Sequence, residues 1–283
     1  MNIAIVGLGL MGGSLGRAIV KQGEHKIYAY DVNPDAMLKV DMMRAFDYQL
    51  DIENDSLIDL FIVATRTEYF KDICDKFIPY LKNGAIVTDF CGVKRTVVAL
   101  MEEYKSKYPE LNFVGGHPMA GREFSGIEHS KINLFDKASM ILVPVHTDIF
   151  VMETLKAFYL SLGFSEVVIT SAENHDNMIA FTSQLCHIVS NAFIKNKTAD
   201  KHFGYSAGSY KDLTRVARLD PDMWAGLMSM NKDFLLPELD ELIESLKEYQ
   251  KALKTSDSEY LRQLLADGND RKLKIDTKNT KKV

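Results

Sequence analysis

An apolar run that passes straight into three spaced glycines constrains this chain more than any other feature. NIAIV, residues 2 to 6, leads into GLGLMG, which sets Gly7, Gly9 and Gly12 as G-x-G-x-x-G at the start of a helical stretch. In a dinucleotide-binding α/β unit the first glycine permits the tight turn, the second lets the backbone approach a pyrophosphate, and the third lets helix pack on strand. The N–H groups at the helix start then face the phosphates. A second run, KIYAY, is followed by Asp31, about 20 residues beyond the last glycine, where a carboxylate accepts from a ribose 2′-hydroxyl. An acid there repels a 2′-phosphate, so NAD is expected rather than NADP. The competing reading makes Asp31 the cap of a helix that starts near Pro34.

The rest of the first 170 residues repeats this alternation. LIDLFIVAT, AIVTDF, LNFVGG, ASMILVP and EVVIT are apolar runs with few charges, separated mostly by stretches of helical length such as 66 to 82 and 94 to 108. Buried strands alternating with helices imply a parallel sheet covered on both faces. After residue 170 the strand signals stop. Thr170 and Glu173 form a candidate capping box, followed by Met178, Phe181, Leu185, Ile188 and Ala192 as one apolar stripe. Asp220 before Pro221 reads as the cap of another helix, and a last pair covers roughly 229 to 252 and 256 to 267. The expected organisation is therefore an α/β domain over 1–170 and an all-helical domain over 171–283.

Composition excludes several function classes. With 46% hydrophobic and 26% charged residues, the 283-residue chain is neither disordered nor collagen-like. A formal charge of −5 offers no footprint for nucleic acid, and the basic end RKLKIDTKNTKK reads as a solvated or frayed tail rather than a binding arm. No apolar run is long enough for a membrane span, and the first 20 residues lack the basic start of a signal peptide. Cys74, Cys91 and Cys186 are odd in number and unpaired in spacing, so neither a disulfide framework nor a zinc site is indicated and a reducing cytoplasm fits.

Three stretches carry candidate chemistry. In FVGGHPMAG, His117 follows an expected strand; it is either packed scaffolding or a base, and a neutral imidazole is well suited to take a proton near neutral pH. In SQLCH, Ser183 and His187 stand at i and i+4 and share a helix face, which on spacing alone is equally a solvated one. In YKDLTRVARLDPDMW, Asp212 and Arg215 are three apart, the spacing of an ordinary surface pair.

Taken together, GLGLMGGS, HPMAGREFSG, SQLCH and KDLTR followed by DPDMW resemble the prephenate dehydrogenases, a class that includes arogenate dehydrogenases, over nearly the whole chain. The resemblance implies a Rossmann-like NAD domain, a helical dimerisation domain that makes a homodimer, and an active site between them. It implies oxidative decarboxylation of prephenate to 4-hydroxyphenylpyruvate, a step of tyrosine biosynthesis, with arogenate as the alternative substrate. His117 would deprotonate the ring hydroxyl and Arg215 would bind the ring carboxylate. Ser183, His187, Glu123, Gly208, Asp212 and Trp224 would line the substrate pocket. The expected cofactor set is Gly7, Gly9, Leu10, Met11, Gly12, Asp31, Thr65 and Asp89, with no metal.

One position departs from the family. Members commonly carry GSVK, whose serine bonds the catalytic histidine, whereas this chain reads DFCGVK with Gly92 at the serine position. An altered arrangement around His117 is expected, with Cys91, a backbone carbonyl or a water as substitutes. Two other readings compete. The β-hydroxyacid dehydrogenases share the GLGxMG opening but use a lysine base on a glycine-rich helix start, and residues 164 to 203 contain no glycine. A non-catalytic NAD sensor would need the fingerprint without a convergent histidine and arginine.

Overall fold

The structure, a computed structural model, describes residues 1–51, 57–122 and 124–280, with side chains as far as residue 277. The chain divides into two compact units, Met1–Lys232 and Asp233–Val283.

In the first unit, β1 (Asn2–Val6), α1 (Leu10–Gln22), β2 (Lys26–Tyr30), α2 (Pro34–Met42) and the short β3 (Tyr48–Gln49) wind to one side of β1. Next, β4 (Leu60–Val63), α3 (Phe70–Phe77), β5 (Ile86–Asp89), α4 (Arg95–Lys107) and β6 (Asn112–Pro118) wind to the other. Then come β7 (Ser139–Val145), α5 (Ile149–Ser161) and β8 (Glu166–Ile169). The described strands join one sheet in the order β3-β2-β1-β4-β5-β6-β7-β8. All neighbours run parallel except β6 and β7, which are antiparallel, so the expected parallel sheet carries one reversal.

Alternation along β1 shows why the sheet is covered twice. Ile3 and Ile5 join a core with Leu15 and Ile19 of α1 and Leu155 and Tyr159 of α5. Ala4 and Val6 join another with Phe70 and Cys74 of α3 and Val97 and Met101 of α4. Successive side chains of a strand point to opposite faces, so a run that is apolar throughout requires a layer on each.

Beyond β8, α6 (Ala172–Ile179) passes through a π-helical segment (Ala180–Leu185) into α7 (Cys186–Ile194), followed by α8 (Gly208–Thr214) and α9 (Pro221–Met230). Two expectations change here. The cap of α6 is Ser171, whose hydroxyl accepts from Asn174 N at 3.2 Å, while Thr170 Oγ1 accepts from the Asn174 side chain. The apolar stripe does not stay on one face, because a π segment inserts an extra residue into the turn. Leu185 is 6% exposed but Met178 and Phe181 are 49% and 55% exposed. Asp220 does cap α9, accepting from Asp222 N and Met223 N at 3.1 Å each.

The second unit holds α11 (Ser258–Thr280) and nearly all of α10 (Lys232–Lys254). Tyr249 donates to the carbonyl of Leu264 and Tyr260 bonds Glu248, which ties the two helices into a hairpin. The basic end, expected to be solvated or frayed, is helical in its backbone as far as Thr280 and exposed over 271–277. No helix among the described residues is long and apolar enough to cross a membrane.

Candidate active site

The glycine loop sits where the strand order reverses, because β1 lies between β2 and β4. Ligands of such sheets bind at this point, beyond the carboxyl ends of the strands. Gly7 has φ +92°, and a Cβ there would lie 2.6 Å from Thr65 Cγ2. A Cβ on Gly12 would lie 1.9 Å from the carbonyl oxygen of Gly7, so the loop closes tightly on α1. By contrast a Cβ on Gly9 would meet nothing within 4 Å, which leaves open space over the helix start. Gly9 caps α1 without a side-chain bond, and no acid stands in the first turn. This cradle fits a pyrophosphate: a helix N-terminus with open space over it and no acid in its first turn. Leu10 is buried and offers a ligand at the cradle its backbone, while Met11 packs half-buried against the core.

Asp31 is pinned across this loop. Its Oδ2 accepts from Leu8 N at 2.7 Å and its Oδ1 from Asn33 N at 2.9 Å. The cap of α2 is Asn33, which accepts from Asp35 N, so the capping reading of Asp31 fails. Asp89 is engaged within the protein. Its buried carboxylate accepts from Gly116 N at 2.9 Å, from Cys91 N at 2.8 Å and from Lys94 Nζ, an ion pair with no exposed surface on either side chain. With three donors and full burial on this side chain, a cofactor contact from Asp89 would come through its backbone.

His117 belongs to β6 itself, paired opposite Ile141, and is not a loop residue. The two glycines before it serve close approach. A Cβ on Gly116 would lie 2.4 Å from Asp89 O, and one on Gly115 would lie 3.1 Å from Lys94 Cδ. They let β6 press against the Asp89–Lys94 pair, and this fixes the height at which the imidazole emerges.

The His117 ring heads a chain of polar contacts. Its Nδ1 lies 2.8 Å from His175 Nε2, and His175 Nδ1 lies 2.7 Å from Asp176 Oδ1. Asp176 accepts from Lys94 N at 2.7 Å, Arg95 N at 2.9 Å and Arg95 Nε at 3.2 Å, so it also occupies the start of α4. Asn231 donates to the Asp176 carbonyl at 2.8 Å and to Gln184 Oε1 at 2.9 Å, while Arg95 Nη2 donates to Asn231 at 3.0 Å. Burial, then the neighbouring His175 and Lys94, hold the His117 pKa well below the ordinary imidazole value. Burial likewise lowers that of His175, against the pull of Asp176. At Asp176 burial works upward, but His175 and the two backbone N–H groups outweigh it and the carboxyl titrates low.

The helical candidates gather farther along the same helix. His187 Nδ1 donates to the carbonyl of Val216 at 3.0 Å, and its ring lies 3.8 Å from that of Trp224. Val216 follows Arg215, so His187, Trp224 and the short 3₁₀ turn Arg215–Ala217 meet, with Ser183 one turn away. Arg215, Asp212 and Gly208 lie on the exposed side of α8 and the turn after it. The Arg218 guanidinium lies 5.2 Å from the Phe124 ring centroid, which joins the segment after His117 to the segment after Arg215. Glu123 lies outside the described residues.

His175, Asp176, Lys94 and Asn231 were not singled out from sequence. The adjacent His-Asp in ENHD was the available signal, but on a helix such a pair is ordinarily solvated. Cys91, one expected substitute for the missing serine, is not the orienting group: its thiol sits 3.9 Å from the Thr65 carbonyl and burial pushes its pKa up.

Residues 15–168 match the family described as prephenate dehydrogenase, nucleotide-binding domain, and residues 171–267 match prephenate dehydrogenase, dimerization domain. Similarity therefore divides the chain near residue 170, whereas its compact units divide after Lys232. A cyclohexadienyl dehydrogenase from Zymomonas mobilis is 30% identical, over 98% of this chain and 96% of that protein. The crystal structure of a prephenate dehydrogenase from A. aeolicus, in complex with hydroxyphenyl propionate and NAD+, is 30% identical with a TM-score of 0.84, covering 97% of this chain and 98% of that one. A Synechocystis arogenate dehydrogenase structure is 25% identical with a TM-score of 0.78, covering 97% and 100%.

Proposed function

This chain belongs to the prephenate dehydrogenase family, and we propose that His117 and Arg215 carry out in it the oxidative decarboxylation of prephenate to 4-hydroxyphenylpyruvate. The protein is an NAD-dependent oxidoreductase of tyrosine biosynthesis. The observation that carries the assignment of His117 is its position: it emerges at the carboxyl end of β6, on the sheet edge where the glycine loop follows β1.

Prephenate is a cyclohexadienol whose quaternary ring carbon bears a carboxylate and a pyruvyl arm. His117 Nε2 takes the proton of the ring hydroxyl. Bound NAD supplies the hydride acceptor. Once carbon dioxide has left, His117 returns the proton to the phenolate oxygen, so the base ends the cycle neutral and no net proton is released. Arg215 grips the ring carboxylate with two parallel bonds until that group departs. Ser183, His187, Gly208, Asp212 and Trp224 line the pocket, with the adjacent, tilted rings of His187 and Trp224 as one wall. Gly7, Gly9, Leu10, Met11 and Gly12 hold the pyrophosphate through backbone, Thr65 closes the loop, and Asp31 receives the ribose hydroxyl.

In this division of labour residues 1–170 bind the dinucleotide, and 171–283 bind substrate and form a homodimer. Exposed Leu236, Leu246, Leu253 and Leu265 on the terminal hairpin support a partner surface. The free cysteines support a reducing, cytoplasmic setting. Arogenate shares the ring and hydroxyl and differs in carrying an amino group on the side chain. Parallel assays with NAD and either compound, followed by NADH absorbance, test the reading. Faster turnover of prephenate supports it, faster turnover of arogenate reassigns the substrate, and turnover of neither refutes it.

A further inference from the structure

We propose that His175 and Asp176 are positioning residues for His117, and that they keep its ring proton on Nδ1 so that Nε2 is the accepting atom. This rests on the reading of His117 as the base. Counting protons gives the order. Asp176 accepts from two backbone N–H groups and the Arg95 side chain, so it sits as an ionised acceptor at the start of α4. A carboxylate has no proton to give, so its 2.7 Å contact with His175 requires the proton on His175 Nδ1. A neutral His175 then presents a bare Nε2, and the 2.8 Å contact with His117 requires the proton on His117 Nδ1. His117 Nε2 keeps its lone pair. The opposite order would place a proton on Nε2, and the ring could no longer accept one.

The surroundings hold the three groups in that order. Burial keeps both rings neutral, and Asn231 fixes the Asp176 backbone from α9's end while bonding Gln184. No hydroxyl is available at position 92. A Cβ there would already lie 3.3 Å from both methyl carbons of Leu227, so a serine could enter only if Leu227 moved.

The test uses the full-length protein with ring-15N-labelled histidine, without ligands. Two-bond 1H–15N spectra report which nitrogen of each ring carries the proton, and His117→Asn identifies the His117 signals. The expected wild-type spectrum has His117 protonated on Nδ1 and bare on Nε2. In His175→Ala this preference is lost. The kcat of that variant falls at least about tenfold, and by no more than the roughly 10²–10⁴ a positioned base supplies, with KM within about threefold. His175→Gln, whose carboxamide oxygen can accept from Nδ1, recovers part of both. A wild-type His117 protonated on Nε2 overturns the proposal, as does His175→Ala with unchanged tautomer and kcat. The wild-type spectrum decides even if His175→Ala fails to fold. Because it needs no substrate, it also separates failure of this proposal from failure of the proposed function, which would appear as an inactive wild type.

Discussion

His117 Nδ1 and His175 Nε2 stand 2.8 Å apart, so one nitrogen of the His117 ring is committed to the protein and Nε2 alone remains for a ligand. That commitment ties β6 to α6. A small change in the helix is therefore felt at the proposed base. The contact gives the ring a partner that does not depend on a hydroxyl at position 92.

Arg215→Ala should raise KM for prephenate by about 10- to 100-fold with a smaller change in kcat, since a charge-assisted hydrogen bond contributes about 1.5–3 kcal/mol. Steady-state kinetics on the two proteins checks this. An unchanged KM would remove Arg215 from the carboxylate site.

If the Asp31 carboxylate, held by Leu8 N and Asn33 N, receives the ribose hydroxyl as proposed, Asp31→Ala should narrow the preference for NAD over NADP. Dissociation constants for both cofactors, measured by fluorescence, give the ratio. A ratio equal to that of the wild type would assign cofactor choice to other residues.

Two glycine substitutions should part company. Gly9→Ala adds a methyl into open space, so the protein should melt near the wild-type temperature yet bind NAD more weakly, the space being what the pyrophosphate needs. Gly12→Ala forces a carbon to within 1.9 Å of Gly7 O and should lower Tm by several degrees, as overpacking costs about 1–3 kcal/mol. Equal Tm values for the two variants would contradict the tight closure of the loop on α1.

The acid limb of kcat/KM should lie below pH 6.5. His117 and His175 are both held below the ordinary value of 6.5, chiefly by burial, so their neutral forms persist as pH falls past it. Stability shares the sign. The unfolded chain takes up these protons first, so the folding advantage present above pH 6.5 is lost as pH falls toward the folded pKa values. A pH profile of kcat/KM beside Tm at several pH values checks both. An acid limb above 6.5 would mean that another group controls the rate.

What could be read before the structure, and what could not, divides by the range of the interaction. The glycine spacing and Asp31 lie within about 30 residues of each other, and the fold follows from apolar runs whose period needs no tertiary knowledge. The partners of the Asp89 side chain were hidden because they include Gly116, 27 positions away. The His117–His175 contact spans 58 positions, and the Lys94 N to Asp176 bond spans 82. Nothing local in ENHD distinguishes a buried relay from a wet helix start. The π segment was equally hidden, since α-helical spacing from Met178 to Ala192 looked continuous.

The most direct test of the central claim is a single-turnover measurement with saturating NAD and prephenate on wild type and His117→Asn. If His117 takes the hydroxyl proton, NADH should form about 10²- to 10⁴-fold more slowly in the variant, while prephenate binds within a few-fold of the wild-type affinity. A variant that turns over at the wild-type rate would contradict the account.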